Sequence, residues 1–170
     1  MKQDIATDQK LEKICPDLAA RWILVRKRLY DSIGMQIRVT EALRSFAMQF
    51  EVWAKGRTRL ATGSWVISDP SKVVSYAVPG ASFHQFGLAI DSCFQGKDPY
   101  LEKMDMKEAR EKWELFGKYC HEEGLDWGGY WKRPDKPHCE KRYGLSIHSI
   151  QIIHENSGLK AVWKECMSTL

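Results

Sequence analysis

Apolar side chains recur at helical spacing most clearly in two separate stretches of this 170-residue chain. The first stretch predicts a helix over residues 16–33 that ends at Gly34. The second predicts a helix from Asp105, where Glu108 completes a capping-box-like start, to Gly124. Chains that mix helices and short strands without a regular β-α-β alternation favour an α+β fold.

The region between the two helices predicts one strand, one helix and a loop. Residues 35–40 alternate apolar and polar side chains, as in a half-buried strand. Ser45 is a suitable N-cap for a helix that ends before Gly56. Residues 57–83 are rich in Gly, Ser, Thr and Pro, and we expect a long loop there with a short strand at residues 73–78.

The remaining segments complete the expected domain. Strands are predicted at residues 125–127 and through His138 to Glu140, followed by helices near 146–155 and 158–168, the second capped by Ser157. The fold class is therefore α+β, with a small antiparallel sheet flanked by helices. No internal repeat or linker is visible, so residues 1–170 are expected to form a single domain.

Composition excludes several classes of protein. The five cysteines are odd in number and form no CxxC pair, which argues against a disulfide framework or a zinc ribbon. No apolar run approaches the roughly 20 residues of a membrane-spanning helix. The net charge of +4 is scattered and no nucleic-acid motif appears. We expect a monomer without nucleic-acid or membrane partners.

Two segments carry residues suited to metal chemistry. His84, Asp91 and His138 supply two imidazoles and a carboxylate, the kind of set that holds a catalytic zinc ion with one position left open. A peptidase also needs a carboxylate base. Asp135 can supply it, and Glu140 can either do so or support a ligand. On residue types alone, a surface histidine and a capping aspartate explain the same residues, and no HExxH motif is present.

The spacing of these residues matches a known pattern. Ser82-x-His84-x-x-Gly87-x-Ala89-x-Asp91, then Trp127-Gly128-Gly129 and Asp135-x-x-His138, resembles the D-alanyl-D-alanine carboxypeptidase (VanY-like) metallopeptidases. The resemblance is greatest to their phage endolysin branch, the L-alanyl-D-glutamate endopeptidases. It covers residues 35–142, which we take as the catalytic core, and leaves 143–170 as a C-terminal helical segment.

The resemblance implies roles for individual residues. It implies that His84, Asp91 and His138 bind one zinc ion per chain at the sheet of a DD-peptidase or hedgehog-like fold. It also implies that Asp135 is the catalytic base. The remaining implied roles are in substrate binding, with Arg44 contacting substrate or the developing oxyanion, Gln49 orienting the region of Arg44, and Ser82 hydrogen-bonding near the site.

The implied function is a zinc-dependent peptidoglycan endopeptidase that cleaves stem peptides at L-Ala-D-Glu and acts as a phage lysis enzyme. The N-terminus, Met1-Lys2-Gln3-Asp4, lacks the apolar stretch of a secretory signal. We therefore expect synthesis in the host bacterial cytoplasm and action on the wall after release. Asp135, where related carboxypeptidases tend to carry Glu, favours the endopeptidase branch.

Three other functions are compatible with parts of the sequence. A D-Ala-D-Ala carboxypeptidase or dipeptidase would use the same zinc site. A Cys/His peptidase would use Cys93 or Cys139, although neither lies in a setting that lowers a thiol pKa. A wall- or zinc-binding module without activity would have no use for a base at Asp135.

Overall fold

A four-stranded antiparallel sheet and six helices make up the fold in the computed structural model, which describes residues 3–169. The helices are α1 (Ile5–Leu11), α2 (Pro16–Ile33), α3 (Phe46–Ala54), α4 (Met106–Glu122), α5 (Ile147–Ser157) and α6 (Leu159–Ser168). The strands are β1 (Ile37–Glu41), β2 (Arg57–Arg59), β3 (Trp65–Ile67), β4 (Ala89–Phe94), β5 (Asp126–Trp127) and β6 (His138–Glu140). The order β1-β4-β6-β5 forms the main sheet, and β2 and β3 form a separate hairpin. The predicted α+β class is confirmed.

One face of the main sheet is covered by the core, and the other carries Asp91 of β4. Ile90, Ser92 and Phe94 of β4 are fully buried, and the indole N–H of Trp22 in α2 donates to the Ser92 hydroxyl at 2.9 Å. Because successive side chains of a strand point to opposite faces, Asp91 lies on the other face. The core therefore fixes which side of β4 is available for chemistry.

Helix boundaries follow the capping residues seen in the sequence. Pro16 opens α2 and Gly34 closes it in the left-handed conformation. The Ser45 hydroxyl accepts from the Met48 N–H, and the Asp105 carboxylate accepts from the N–H groups of the first turn of α4. These contacts satisfy donors that a helix start leaves free.

Several expectations about local structure are wrong. Residues 57–83 contain the β2–β3 hairpin, and residues 73–78 form no strand. Ser157 ends α5, and Gly158 is the residue that precedes α6. The sequence analysis also did not predict α1 or the central strand β4.

The C-terminal helices support the turn that precedes β4. The side-chain amide of Gln151 in α5 donates to the Gly80 carbonyl at 2.9 Å. The indole N–H of Trp163 in α6 donates to the Phe86 carbonyl at 2.8 Å. Both ends of the segment 80–86 are thus held by α5 and α6, and His84 lies between them.

All five cysteines are buried and none forms a disulfide bond. Among residues 3–169, no helix has the length and apolar character needed to cross a membrane.

Gly117 of α4 provides a test of the packing behind β5. A Cβ atom at this position would lie 2.0 Å from the Trp127 ring, whose N–H is already committed to the Lys136 carbonyl. Gly117→Ala gains up to about 1 kcal/mol of helix propensity. The steric cost of overpacking, about 1–3 kcal/mol, should exceed it. We expect a lower free energy of unfolding in urea, with Glu111→Ala on the exposed face of α4 as control. A gain in stability would contradict the close approach.

Candidate metal centre

Three side chains from three elements converge on the open face of the sheet. His84 comes from a 3₁₀ turn (Phe83–Phe86), Asp91 from β4 and His138 from β6. His84 Nε2 lies 3.3 Å from His138 Nδ1 and 3.3 Å from Asp91 Oδ1. His138 Nδ1 lies 3.0 Å from Asp91 Oδ1. The structure thus brings the three predicted ligands together, and they form a group able to hold a metal ion.

The donor set fits zinc. Atoms bound at about 2.0–2.2 Å at the corners of a tetrahedron lie roughly 3.3–3.6 Å from one another. The three potential ligand atoms here are separated by 3.0–3.3 Å. Two imidazole nitrogens and one carboxylate oxygen also match the N/O ligands of catalytic zinc sites. His84, Asp91 and His138 are therefore the residues that would hold the ion.

The other nitrogen of each imidazole is held by a separate partner. His84 Nδ1 donates to the Ala42 carbonyl at 2.8 Å, which leaves Nε2 as the free nitrogen. His138 Nε2 donates to the Glu140 carboxylate at 3.1 Å, and Arg142 Nε donates to the same carboxylate at 2.7 Å. Such outer contacts orient metal-binding histidines and fix their tautomers. Glu140 therefore contacts a potential ligand, which agrees with one of the two roles that the sequence left open for it.

Charge pairing within the buried group shifts the pKa values of His138 and Asp91. Burial opposes charge on His138, but hydrogen bonds to Asp91 and Glu140 outweigh that effect and raise its pKa to about 10. Burial likewise disfavours an ionised Asp91, yet its hydrogen bonds with His138 and His84 hold the pKa of this carboxyl well below its ordinary value. Without metal, the centre is therefore an ion pair of carboxylate and imidazolium at neutral pH.

Arg44 lies directly against the ligand group. Its Nη2 atom is 3.6 Å from Asp91 Oδ2, and Nε is 3.5 Å from Glu41 Oε2. Nη1 donates to the side-chain oxygen of buried Gln49 at 3.0 Å. This hydrogen bond is consistent with the predicted role of Gln49 in orienting the region of Arg44. Substrate binding by Arg44 stays a prediction.

Asp135 lines the same cleft, on a turn closed by backbone contacts. The Gly128 carbonyl accepts from the Asp135 N–H at 2.9 Å, and the Asp135 carbonyl accepts from the His138 N–H at 3.2 Å. A Cβ atom on Gly128 would lie 2.5 Å from the Asp135 carbonyl oxygen, so the turn needs glycine there. Partial desolvation, and then the charge of Asp91, raise the pKa of Asp135 although its surface remains exposed. A raised pKa suits a general base working near neutral pH.

The cleft around these residues has a volume of about 740 Å³, within the range of about 300–1,000 Å³ typical of ligand sites. Ser82 also lines it, but its side chain makes no capping contact with the turn that follows, and its hydrogen bonding near the site stays a prediction. Among the other residues that line the cleft, the sequence analysis gave no role to Tyr76, Trp131, Arg133 and Arg142. Arg142 lies only two positions after Glu140, just beyond the end of β6, and this short spacing was a usable signal, whereas a lone aromatic in a polar loop carries none.

The thiol alternative finds no support in the geometry. Cys139 is fully buried on the face of β6 opposite His138. Cys93 is also buried, beneath Arg38. A reactive cysteine needs a lowered pKa and access, and neither thiol is among the residues that line the cleft.

Comparison with known proteins agrees with the sequence pattern. Residues 77–141 match the family model described as D-alanyl-D-alanine carboxypeptidase, and this segment holds all three potential ligands and Asp135. The resemblance found in the sequence is thereby confirmed for the part of the chain that carries the site.

Two individual proteins are similar over longer stretches. The peptidoglycan L-alanyl-D-glutamate endopeptidase CwlK of Bacillus subtilis is 34% identical over 112 residues, which are 63% of this chain. The match spans 61% of the length of CwlK. The crystal structure of the L-Ala D-Glu endopeptidase ChiX of Serratia marcescens matches 81% of this chain and 86% of its own, with a TM-score of 0.48 and 21% identity.

The charged state of the metal-free centre gives a pH prediction. Zinc needs the lone pair of His138 Nδ1, and a pKa of about 10 means that this nitrogen carries a proton at pH 7. Binding should therefore release about one proton, and affinity should fall as pH falls. Calorimetry in buffers of different ionisation enthalpy measures the proton count, and zero release would contradict a cationic His138.

The raised pKa also sets the pH dependence of stability without metal. The contribution of His138 is fully present below the unfolded pKa of about 6.5 and is lost as pH rises through about 10. Urea unfolding of the metal-free protein between pH 6 and 10 measures this loss. His138→Ala should remove both the pH dependence and the bound metal, whereas His148→Ala, at an exposed histidine of α5, should change neither.

Proposed function

We propose that this protein is a zinc-dependent peptidoglycan endopeptidase that cleaves stem peptides at L-Ala-D-Glu. The convergence of His84, Asp91 and His138 in a cleft that also contains Asp135 carries the proposal. The match of residues 77–141 to a peptidase family supports it, as does the similarity to an endopeptidase named for this bond.

The residues of the cleft have complementary roles in hydrolysis. A zinc ion bound there would act as a Lewis acid toward the scissile carbonyl and would acidify water. The Asp135 carboxylate takes a proton from the attacking water and passes it to the leaving amine. Glu140 keeps His138 oriented, and Arg44 places a cation beside the ligand group to bind a substrate carboxylate.

Peptide chemistry explains why this site suits two different bonds. D-Glu continues the stem through its γ-carboxyl group, so its α-carboxylate stays free beside the scissile nitrogen. In D-Ala-D-Ala, the terminal carboxylate occupies the same position. One arginine can therefore serve an endopeptidase or a carboxypeptidase. The family description favours the second activity as the alternative, whereas Asp135 in place of Glu and the similarity to CwlK favour the first.

Product analysis distinguishes the two activities. We expect purified peptidoglycan digested by the zinc-loaded protein to gain free D-Glu N-termini and L-Ala C-termini, with little free D-Ala. Mass spectrometry of the released peptides identifies the new ends. D-Ala as the main product would overturn the endopeptidase assignment and leave the metal site intact.

Asp135→Asn separates the base from the ligands. The amide keeps the size of the side chain but cannot accept the proton of water, so turnover should fall at least about 100-fold. Metal content and the unfolding midpoint should stay unchanged, because Asp135 is not one of the three converging ligands. Asp126→Asn, at an exposed aspartate of β5, is the control. Near-normal turnover in Asp135→Asn would rule out this base.

We further propose a biological setting for the activity. The protein acts in phage lysis: it is made in the cytoplasm of the host bacterium and reaches the wall after the membrane is opened. The sequence pattern of the endolysin branch supports this role. Expression in bacteria should cause lysis only when a membrane-permeabilising protein is co-expressed, and lysis without one would contradict the proposed route.

A further inference from the structure

Arg133 differs from the other two arginines of the cleft in having no carboxylate partner. Arg44 pairs with Glu41 and Asp91, and Arg142 pairs with Glu140. Within the described chain, residues 3–169, no aspartate or glutamate forms an ion pair with Arg133, which is exposed and lines the cleft. Its charge is therefore available to a ligand.

The guanidinium of Arg133 is held by an aromatic ring. Its central carbon lies 4.2 Å from the centre of the Tyr76 ring. A cation placed over an aromatic face is attracted to it. Within residues 3–169 the Arg133 N–H groups make no hydrogen bond, so they can donate to a carboxylate in the two-pronged arrangement that arginine favours.

Tyr76 is itself positioned by contacts that reach the metal centre. The buried side-chain amide of Gln49 donates to the Ala77 carbonyl at 2.8 Å and to the Ser75 hydroxyl at 3.2 Å. These two residues flank Tyr76, and the other end of the Gln49 amide accepts from Arg44. The loop carrying Tyr76 is thus fixed relative to the ligands, and Arg133 is fixed relative to that loop.

We propose that Arg133, positioned by Tyr76, binds a carboxylate of the stem peptide and makes the enzyme selective for substrates that keep it ionised. The proposal rests on the proposed function, since it concerns the peptide held in the same cleft. Two carboxylates have the required chemistry. One is the α-carboxylate of D-Glu, and the other is the side-chain carboxylate of a diaminopimelate residue that follows it.

Three synthetic peptides distinguish these sources. The reference is N-acetyl-L-alanyl-γ-D-glutamyl-meso-diaminopimelate. The second carries an amide in place of the D-Glu α-carboxylate, and the third has L-lysine in place of diaminopimelate. We expect the wild-type zinc enzyme to cleave the reference with about tenfold higher kcat/KM than one of the analogues, mostly through KM. Added salt should reduce the preference, because Arg133 is exposed.

The variants assign the preference to a residue. Arg133→Gln should cleave the disfavoured analogue as wild type does and lose the preference for the reference. Arg133→Lys should restore only part of it, because an ammonium group does not form the two-pronged contact. Tyr76→Phe keeps the ring and should keep the preference, whereas Tyr76→Leu should weaken it. Lys132→Gln removes an adjacent exposed charge that does not line the cleft and serves as control.

Each outcome decides the proposal. Loss of selectivity against the amidated peptide in Arg133→Gln assigns the D-Glu α-carboxylate, and loss against the lysine peptide assigns diaminopimelate. Equal effects of Arg133→Gln on all three peptides would overturn the assignment of Arg133 and leave the endopeptidase activity standing. Failure of folded, zinc-loaded wild type to cleave any of the three would instead overturn the proposed function, and the subsite with it.

Discussion

The metal centre depends on the antiparallel pairing of β4 with β6, in which Asp91 is directly opposite His138. This register puts a carboxylate and an imidazole side by side on one face. The neighbouring pair, Ile90 and Cys139, lies on the other face in the core. A shift of one residue would send His138 into the core and Cys139 into the cleft. Hydrophobic burial therefore selects the register, and the register creates the site.

The charges at the centre are arranged in series. Arg142 contacts Glu140, Glu140 contacts His138, and His138 contacts Asp91, which Arg44 approaches from the far side. Cation and anion alternate along this series, so each buried charge has a partner and the cost of desolvation is offset. His138 keeps its Nδ1 atom toward the other ligands in this series, and the Ala42 carbonyl does the same for Nε2 of His84. The electrostatic requirements of folding and of metal binding are met by one set of contacts.

The sequence predicted some parts of this structure better than others. The periodic apolar pattern and Pro16 placed α2 correctly, and the spaced motif identified the residues that converge. The central strand β4 was missed because Ala89 and Cys93 share the face of Asp91 while polar Ser92 lies in the core, so apolar and polar side chains do not alternate. Val73, Val74 and Val78 suggested a strand where Gln49 holds the loop instead. The Ala42 carbonyl that orients His84 has no sequence signature, because any residue supplies a backbone carbonyl.

Gln151 and Trp163 donate hydrogen bonds to the segment around His84. The part of the chain that holds one ligand in place is therefore longer than the part that supplies the ligands. The stretch that matches the peptidase family, residues 77–141, contains every ligand and ends before both of these side chains. A fragment cut at those limits would keep the motif but lose the hydrogen bonds that hold the His84 turn against the sheet. The matched stretch supplies the groups for the reaction, whereas the distant helices hold the turn that carries one of them.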